Sequence, residues 1–490
     1  MSSSLTGAPL PAIAASPVQY SASRYQARIR EDNRWWKEAV IYQIYVPSFK
    51  DTNKDGYGDI RGVIQNLDYL HDLGINTIWL SPVCDSPFYD MGYDMSDYRS
   101  IGPKSGTIND LETLIQMAHE RDMKILMDIA LNHTSTEHAW FKASREAQSD
   151  VGDQSKRNYY ISRDGKVDPD GNEMSPNNWE SVFEGSMWEY DEVAKKYYLH
   201  IFGNVQADFN WDCAALREEV FEVLRFWLDK GIDGFRLDAI NLVSKVPGLP
   251  DAPILNPSRH EQKANDFFAN GPNIHLYLQE MYEKVFTHYK CVVLGEMSCG
   301  ITTQQAVDYL APSNGKPEID LIIQFNHVEL DCIDGDKWLL RDWQLRELKD
   351  VTTKWQHTTT KIGAWNTVWM ENHDQPRAIS RFTYPTLVLR PYAAKLLALH
   401  MLTLRGTVLI YQGQELGLAN PEDFTEDMMR DIETLIFWRK IDHVATDEAS
   451  RKRLEAAKHA IKVKGRDAGR VLMPWDRTEH RGFTEPDVTS

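Results

Sequence analysis

GFRLDAIN, residues 234–241, is an apolar run that ends in charged and polar residues, as a buried strand of a parallel sheet does. It follows an amphipathic segment, residues 215–231, in which Leu216, Val220 and Leu224 recur at helical spacing. This helix therefore has one apolar face that packs on a core. A helix followed by a buried strand is the repeat unit of a sheet whose parallel strands are joined by crossover helices.

The same alternation of strand and helix runs through most of the chain from Trp35 onward. Eight such units make a closed barrel the natural arrangement, so the sequence predicts the α/β class and a (β/α)8 TIM barrel. The predicted strands are residues 39–49, 75–83, 124–133, 234–241, 291–298, 320–327, 366–374 and 406–413.

Between the third and fourth predicted strands lies a stretch, residues 134–205, that is too long for an ordinary loop. The sequence predicts that this stretch is a small domain inserted into the barrel. The barrel then consists of residues 31–133 and 206–490. Residues 1–30 are rich in Ser and Ala, and they are predicted to be a disordered tail.

The composition is that of an ordinary soluble globular protein, with 42% hydrophobic and 26% charged residues. The formal net charge of −18 disfavours nucleic acid and anionic lipid as partners. No apolar run is long enough to cross a membrane, and the N-terminus lacks the basic start of a signal peptide. The cysteines show neither disulfide nor metal spacing, so we expect a reducing, cytoplasmic setting. They are Cys84, Cys213, Cys291, Cys299 and Cys332.

Several predicted strands end in polar side chains, and the carboxyl ends of barrel strands form the edge where active sites are built. Arg236 and Asp238 lie two residues apart on one strand, so both point to the same side, and the guanidinium is expected to keep Asp238 ionised. Glu296 follows the apolar residues 292–294, which are expected to raise its pKa and keep it protonated. Other strands end in Asn132, His133, Asn372, His373 and Asp374.

Three carboxylates on different strands, Asp238, Glu296 and Asp374, suit the cleavage of a glycosidic bond. That reaction needs a nucleophile, an acid/base and negative charge near an oxocarbenium-like transition state. The alternative is that each carboxylate is a salt-bridged part of the barrel. Geometry separates the two interpretations, because retaining glycosidases hold their two principal carboxyl groups ~5–5.5 Å apart.

The barrel strands carry, in chain order, the motifs DIALNH (128–133), GFRLDAIN (234–241), GEMS (295–298) and ENHDQPR (371–377), and QADFNWD (206–212) follows the inserted stretch. Together these motifs resemble the α-amylase superfamily, glycoside hydrolase family 13, in its oligo-1,6-glucosidase and maltase branch. The resemblance implies that Asp238 is the nucleophile and Glu296 the acid/base. Asp374 would hold the ring hydroxyls of the sugar and stabilise the transition state, with Arg236, His133 and His373 as its partners.

Two further motifs imply a pocket closed around a terminal sugar. GYDMSDY (92–98) resembles the family's GYDI motif, whose aspartate, here Asp94, grips the non-reducing glucose; the alternative is an aspartate that only shapes a turn. RDAGR (466–470) resembles the family's late arginine motif and would place Arg470 opposite Asp94. An exo-acting enzyme follows from this arrangement. The next residues, VLMPWD (471–476), depart from the family's TPMQWD.

The residue after the nucleophile is Ala239. By the resemblance, this residue tends to be Val in enzymes that prefer α-1,6 bonds and smaller or polar in those that prefer α-1,4 bonds. Ala leaves room for an α-1,4-linked ring. Maltose is therefore expected to be preferred to isomaltose.

The loop DTNKDGYGD (51–59) spaces its oxygen-bearing residues alternately around a glycine, as the first half of a calcium loop does. The twelfth position is Gly62 and not the Glu of an EF-hand. We therefore expect a structural Ca²⁺, or less readily Mg²⁺; the alternative is a metal-free turn. The expected ligands are Asp51, Asn53, Asp55, Asp59 and the backbone carbonyl of Tyr57.

The function predicted from these features is a retaining, exo-acting α-glucosidase that acts on small oligosaccharides of the maltose, isomaltose and sucrose class. Two alternatives remain: a transglucosidase or sucrose isomerase of the same family, and a non-catalytic homologue that serves as a binding or chaperone subunit. Members of this branch continue into a last barrel helix and a C-terminal β-domain, and both are expected to be missing here because the sequence ends at GFTEPDVTS. The sequence leaves the oligomeric state open.

Overall fold

The structure is a computed structural model that describes residues 34–316, 318–383, 386, 388–442 and 447–484. Eight parallel strands form one sheet in the order β6-β5-β4-β3-β2-β1-β8-β7. The predicted TIM barrel is confirmed, and the predicted tail lies outside the described residues. The strands are β1 (Val40–Ile44), β2 (Thr77–Leu80), β3 (Lys124–Ala130), β4 (Gly234–Asp238), β5 (Val292–Glu296), β6 (Leu321–Ile323), β7 (Thr367–Val368) and β8 (Thr407–Tyr411).

The barrel closes between β6 and β7 through a side chain. The hydroxyl of Thr367 on β7 donates a hydrogen bond to the backbone carbonyl of Ile322 on β6. The other neighbouring strands are joined by parallel backbone pairing. All eight strand ends therefore meet at the same edge, as the sequence predicts.

Helices lie outside the strands and cover them with apolar faces. In α5, Leu216, Val220 and Leu224 are buried against the sheet, as their helical spacing predicts. The helices are α1 (Ile60–Gln65), α2 (Leu67–Asp72), α3 (Ile108–His119), α4 (Ala139–Gln148), α5 (Ala214–Asp229), α6 (Asn265–Phe268), α7 (Ile274–Lys284), α8 (Thr303–Leu310), α9 (Leu345–Lys361), α10 (Ala378–Phe382), α11 (Arg390–Leu402), α12 (Ile432–Asp442) and α13 (Glu448–Lys464).

The inside of the barrel is filled by every second residue of each strand, because successive side chains of a strand point to opposite faces. On β5, Val292 and Leu294 lie in the inner cluster, whereas Val293 lies in the outer core beneath the helices. On β4, Phe235 and Leu237 belong to the outer core. Arg236 and Asp238 therefore face the barrel axis, at its carboxyl edge.

The predicted insertion, residues 134–205, lies between two strands that pair with each other, His133–Ser135 and Gln206–Asp208. Within it, Lys196–Leu199 pairs with Trp188–Asp191 on one side and with Ser162–Arg163 on the other, and Lys166–Val167 pairs with Glu173–Met174. The division of the chain into separate domains stays a prediction.

The structure also shows the state of the cysteines and the length of the apolar helices. None of the five cysteines, all of which are described, takes part in a disulfide. Among the described helices, none is both long and apolar enough to span a membrane.

Candidate active site

Asp238 and Glu296 end neighbouring strands, β4 and β5, and both contact one guanidinium. Arg236 Nη1 donates to Asp238 Oδ1 at 2.6 Å, and Arg236 Nη2 lies 2.7 Å from Glu296 Oε1. The Arg236 side chain is fully buried. One cation thus orients two carboxylates that come from different strands.

A third carboxylate, Asp128 on β3, also binds this guanidinium, at 2.8 Å. Asp128 further accepts hydrogen bonds from Trp79 Nε1 at 3.0 Å and from the Tyr93 hydroxyl at 2.8 Å. Asp128 was not among the site residues predicted from the sequence. The alternation of side chains along β3 could have predicted its position, because Asp128 lies two residues from the inward-facing Leu126.

Burial sets the protonation of the two principal carboxyl groups. It raises the pKa of Asp238 to about 7 and that of Glu296 to about 7, although Arg236 lowers both. The negative charge of Asp238 raises the pKa of Glu296 further. The sequence predicted that Arg236 would dominate at Asp238, but the desolvation of a fully enclosed carboxylate outweighs the guanidinium. Near neutral pH, the pair therefore readily holds one proton.

Asp374, in the turn after β7, has the opposite tendency. Burial alone would raise its pKa, but His373, Arg466 and Arg470 together hold it well below its usual range. His373 Nε2 lies 3.0 Å from Asp374 Oδ2, and Arg470 Nη2 donates to Asp374 Oδ1 at 2.9 Å. Asp374 is consequently an ionised carboxylate in a half-buried position at the cavity.

Asp238, Glu296 and Asp374 line the same cavity, of about 200 Å³. His133 lines it as well; its Nε2 lies 3.2 Å from Gln206 Nε2. His373 lies behind the cavity, and its ring stacks on Tyr93 with centroids 5.2 Å apart. Aromatic walls are provided by Tyr93, Phe183, Phe202 and Phe325.

The carboxylate that lines the cavity near Tyr93 is Asp90, not the predicted Asp94. Asp94 is fully buried, and its oxygens accept hydrogen bonds from Ser86 Oγ, Tyr89 N and Asp90 N. It therefore shapes the turn that presents Asp90, which is the alternative that the sequence left open.

The arginine opposite this carboxylate is Arg466, not the predicted Arg470. Arg466 donates to Asp90 Oδ1 at 3.1 Å and to Asp374 Oδ1 at 3.2 Å, whereas Arg470 binds Asp374 and the backbone carbonyl of His373. The RDAGR motif begins with one of these arginines and ends with the other, so the motif alone did not decide which of them faces Asp90.

The segment that departs from the TPMQWD pattern is anchored to the loop after β1 through two residues, Met473 and Trp475, that match the pattern. Met473 N donates to the carbonyl of Ser48 at 2.8 Å, and Trp475 Nε1 donates to the carbonyl of Phe49 at 2.6 Å. These bonds hold the segment that follows Arg470, so its position does not depend on the missing Pro and Gln.

Ala239 contributes its backbone and not its side chain to the site. Its N–H donates to Glu296 Oε2 at 3.0 Å, in a left-handed turn with φ of 44°. The methyl group is buried in an apolar cluster with residues of the inserted segment, such as Trp179, and does not line the cavity. The predicted space beside a second sugar is therefore not formed by this side chain directly.

In the predicted metal loop, two carboxylates accept hydrogen bonds from backbone N–H groups of the loop itself. Asp51 accepts hydrogen bonds from the N–H groups of Asn53, Lys54 and Gly56, and Asp55 accepts one from Tyr57 N. The donors present are hard oxygens of the kind that Ca²⁺ prefers.

Asp59, however, faces the start of α1, where it accepts hydrogen bonds from Gly62 N and Thr52. Among the described residues, no group of three or more His, Cys, Asp or Glu side chains is arranged to hold a metal. The loop thus fits Ca²⁺ in its donor chemistry, while Asp59 serves as a helix cap.

A barrel whose parallel strands bring two carboxyl groups of raised pKa and an ionised aspartate to one cavity is of the glycoside-hydrolase type. The family model described as alpha amylase, catalytic domain, matches residues 43–489. The chain therefore belongs to the α-amylase family, glycoside hydrolase family 13, which confirms the predicted resemblance.

Among its relatives, the chain is 45% identical to an oligo-1,6-glucosidase of Parageobacillus thermoglucosidasius, over 92% of this chain and 76% of the relative. It is 41% identical to an alpha-glucosidase of Schizosaccharomyces pombe, over 93% of this chain and 77% of the relative. The crystal structure of isomaltulose synthase from Erwinia rhapontici NX5 matches with a TM-score of 0.83 and 38% identity, over 92% and 78% of the two chains. The names of the two sequence relatives agree with the predicted enzyme class.

Proposed function

We propose that this protein is a retaining, exo-acting α-glucosidase that releases terminal α-linked glucose from maltose-like oligosaccharides through a covalent glucosyl-Asp238 intermediate. The observation that carries the proposal is the single buried guanidinium of Arg236, which contacts Asp238 and Glu296 beside one small cavity. A double displacement requires a nucleophile and an acid/base beside the same bond, and two carboxyl groups that share one cation meet that requirement.

In the first step, ionised Asp238 attacks the anomeric carbon while protonated Glu296 donates its proton to the departing glycosidic oxygen. In the second step, ionised Glu296 takes a proton from water, which attacks the same carbon and releases Asp238. Asp374 stays ionised throughout, because two arginines and His373 hold its pKa down, and its charge stabilises the oxocarbenium-like transition state.

The size of the cavity supports a small substrate and an exo mode of action. Its volume, about 200 Å³, is below the ~300–1,000 Å³ of pockets that hold drug-sized ligands. Asp90 and Arg466 are bonded to each other at the wall of this cavity, and both have acceptors or donors for sugar hydroxyls. A terminal glucose fits such a closed end, whereas an internal unit of a polymer needs a cleft open at both ends.

The experiment that tests the proposal compares Asp238→Asn and Glu296→Gln with wild type on maltose. Each variant is expected to lose at least about a hundredfold in kcat, because each removes one partner of the displacement. Asp72→Asn, a change at a highly exposed carboxylate, serves as the matched control and is expected to keep full activity. Wild-type turnover in a folded Asp238→Asn variant would rule out the assignment.

A second candidate function, glucosyl transfer or sucrose isomerisation, is favoured by the likeness to isomaltulose synthase. It shares the covalent intermediate with hydrolysis, and the two differ in whether water or a sugar intercepts that intermediate. Product analysis on maltose, isomaltose and sucrose separates them: free glucose alone supports the hydrolase, and new disaccharides support the transferase.

We further propose that maltose is preferred to isomaltose, on the basis of Ala239. Because this residue bonds Glu296 through its N–H, a bulkier side chain would act by shifting the acid/base relative to the leaving group. Ala239→Val is expected to shift the ratio of kcat/KM toward isomaltose by about tenfold. Melting curves of the variant are needed as a control, because a β-branched residue is strained at this positive φ. A strong preference of the wild-type enzyme for isomaltose would contradict the proposal.

We also propose that the loop of residues 51–59 binds a structural Ca²⁺, with Mg²⁺ as a weaker substitute. The support is its set of oxygen donors: the side chains of Asp51, Asn53 and Asp55 and the carbonyl of Tyr57, to which the carboxylate of Asp59, also the cap of α1, would add an oxygen. Such an ion would stabilise the loop and would take no part in the displacement.

A further inference from the structure

Helix α12 contributes Glu433 to the wall of the cavity and is held at both ends. At its start, Asp431 is fully buried, accepts hydrogen bonds from Thr434 N at 3.0 Å and Thr434 Oγ1 at 2.7 Å, and accepts another from Arg466 Nε at 2.7 Å. Near its end, Lys440 forms an ion pair with Glu184 of the inserted segment. We call α12 the strap.

A β-hairpin packs against the strap at the wall of the cavity. Its strands are Cys332–Ile333 and Asp336–Leu340. Lys337 of the hairpin forms an ion pair with Glu433 of the strap, and the rings of Trp338 and Phe437 stack with centroids 4.4 Å apart and planes within 7°. An ion pair and a ring stack therefore join the two elements side by side.

Both members of this ion pair line the cavity that contains the three carboxylates. Their side chains are only 22% and 12% exposed, so the pair lies in the wall and not on the outer surface. Glu433 also approaches Arg466 Nε, at 3.4 Å, and Arg466 contacts Asp90 and Asp374. The junction between hairpin and strap is therefore continuous with the groups that would hold the terminal glucose.

We propose that the junction of Lys337 and Trp338 with the strap limits the length of the sugar chain that the enzyme accepts. A closed junction leaves room next to the scissile bond for a short leaving group, whereas additional sugar units must pass between the hairpin and the strap. This inference rests on the proposed glucosidase function. It adds to that function a set of residues that determine specificity and lie away from the reacting atoms.

The test measures kcat/KM for maltose and for maltotetraose in wild type, Lys337→Met and Trp338→Ala. Lys337→Met removes the charge and keeps the length of the side chain, and Trp338→Ala removes the stack and leaves the lining residue Lys337 in place. Each is expected to raise the ratio of maltotetraose to maltose by about tenfold. Lys142→Ala is the matched control, because it breaks an exposed Lys–Glu pair with Glu137 that does not line the cavity.

A ratio that rises in both variants but not in Lys142→Ala supports the inference. Trp338→Phe, which retains a ring for stacking, should then return the ratio toward wild type. An unchanged ratio in folded variants of an enzyme that hydrolyses maltose overturns the inference and leaves the proposed function standing. If Trp338→Ala does not fold, Lys337→Met decides alone. A folded wild-type protein that hydrolyses neither sugar overturns the proposed function and the inference with it.

Discussion

At the scale of single residues, Arg236 has the most consequences. One guanidinium contacts three carboxylates, Asp128, Asp238 and Glu296, all in surroundings from which water is largely excluded. Such a cluster is tolerated because the positive charge offsets part of the cost of burying several negative charges. The part of the cost that is not offset raises the pKa of Asp238 and of Glu296. The raised pKa lets Glu296, the proposed acid/base, hold a proton near neutral pH.

A first consequence concerns pH. Glu296 must be protonated and Asp238 ionised in the first step, and burial raises the pKa of each to about 7. We expect kcat/KM to follow a narrow bell centred near pH 7, because activity falls on the acid side as Asp238 takes up a proton and on the basic side as Glu296 loses one. A pH–rate profile from pH 5 to 9 measures this, and a flat profile would contradict it.

The same shift affects folding stability. In the unfolded chain a glutamate has a pKa of ~4.3, so the folded state binds more protons than the unfolded state between about pH 4.3 and 7. The contribution of Glu296 to stability is therefore fully present below about pH 4.3 and is lost as the pH rises through the folded pKa. Glu296→Gln, which cannot ionise, is expected to lack this dependence.

A further prediction separates Asp90 from Asp94. Asp90→Asn is expected to lower kcat/KM by about tenfold to a hundredfold, because it weakens a charged contact at the cavity wall worth ~1.5–3 kcal/mol. Asp94→Asn is expected to lower stability by ~1–3 kcal/mol, because a buried acceptor of three hydrogen bonds is impaired. Kinetics and thermal melting of both variants measure the difference. A sharper loss of substrate binding in a fully stable Asp94→Asn protein would contradict this division of roles.

At the scale of elements, the loop before α1 combines two tasks. Asp59 caps the helix through Gly62 N, while Asp51 and Asp55 organise the turn around Gly56, which has φ of 86°. Caps of this kind contribute ~0.5–2 kcal/mol to the stability of a helix. The loop is therefore structurally important with or without a metal.

The proposed calcium site predicts a change in thermal stability. Removal of Ca²⁺ with EDTA is expected to lower Tm by a few degrees, and added Ca²⁺ to restore it, because an ion bound only by the folded state stabilises that state by ~2.7 kcal/mol at a hundred times its Kd. Asn53→Ala should remove the sensitivity to EDTA while leaving the Asp59 cap intact. A melting curve that EDTA leaves unchanged would identify the loop as a metal-free turn.

The carboxyl ends of β4 and β5 show why elements and not loops hold the reacting groups. Asp238 and Glu296 are the last residues of their strands, where backbone pairing fixes both positions. Groups on such paired strands keep their separation better than groups on free loops. The substrate-side residues Asp90 and Arg466, in contrast, lie in connecting segments, where substitutions change specificity with less effect on the scaffold.

At the scale of the whole molecule, closure of the barrel brings together residues that are far apart in the chain. His373 Nδ1 lies 2.7 Å from Gln43 Nε2, and Arg466 bonds Asp90, although these partners are 330 and 376 residues apart in sequence. The strap and the inserted segment, which are joined by the ion pair of Lys440 with Glu184, add Glu433, Phe183 and Phe202 to the cavity wall. The cavity is thus made by the fold as a whole and not by one segment.

The sequence predicted the barrel and the meeting of Asp238, Glu296 and Asp374 at its carboxyl edge, because both depend on local periodicity. Alternating burial assigns Arg236 and Asp238 to one face of β4, and polar residues at the ends of apolar runs mark the carboxyl edge. The eight predicted strands are confirmed in order, although the strands of the structure are shorter than predicted because their ends pass into turns.

Only the tertiary structure decided several features of the site. These are the identity of the residues around Asp90, the participation of Arg466 and Asp128, and the raised pKa of Asp238. Asp90 and Asp94 are four residues apart in one loop. The carboxylate that accepts the hydrogen bonds of the turn is buried there, and the other one is left to line the cavity. The pKa of Asp238 depends on the sum of burial, one cation and several anions supplied by distant segments. The sequence determines the local spacing of apolar and polar residues. The loss of water around a carboxylate, and the charges of residues far away in the chain, act on its pKa only after folding has brought them together.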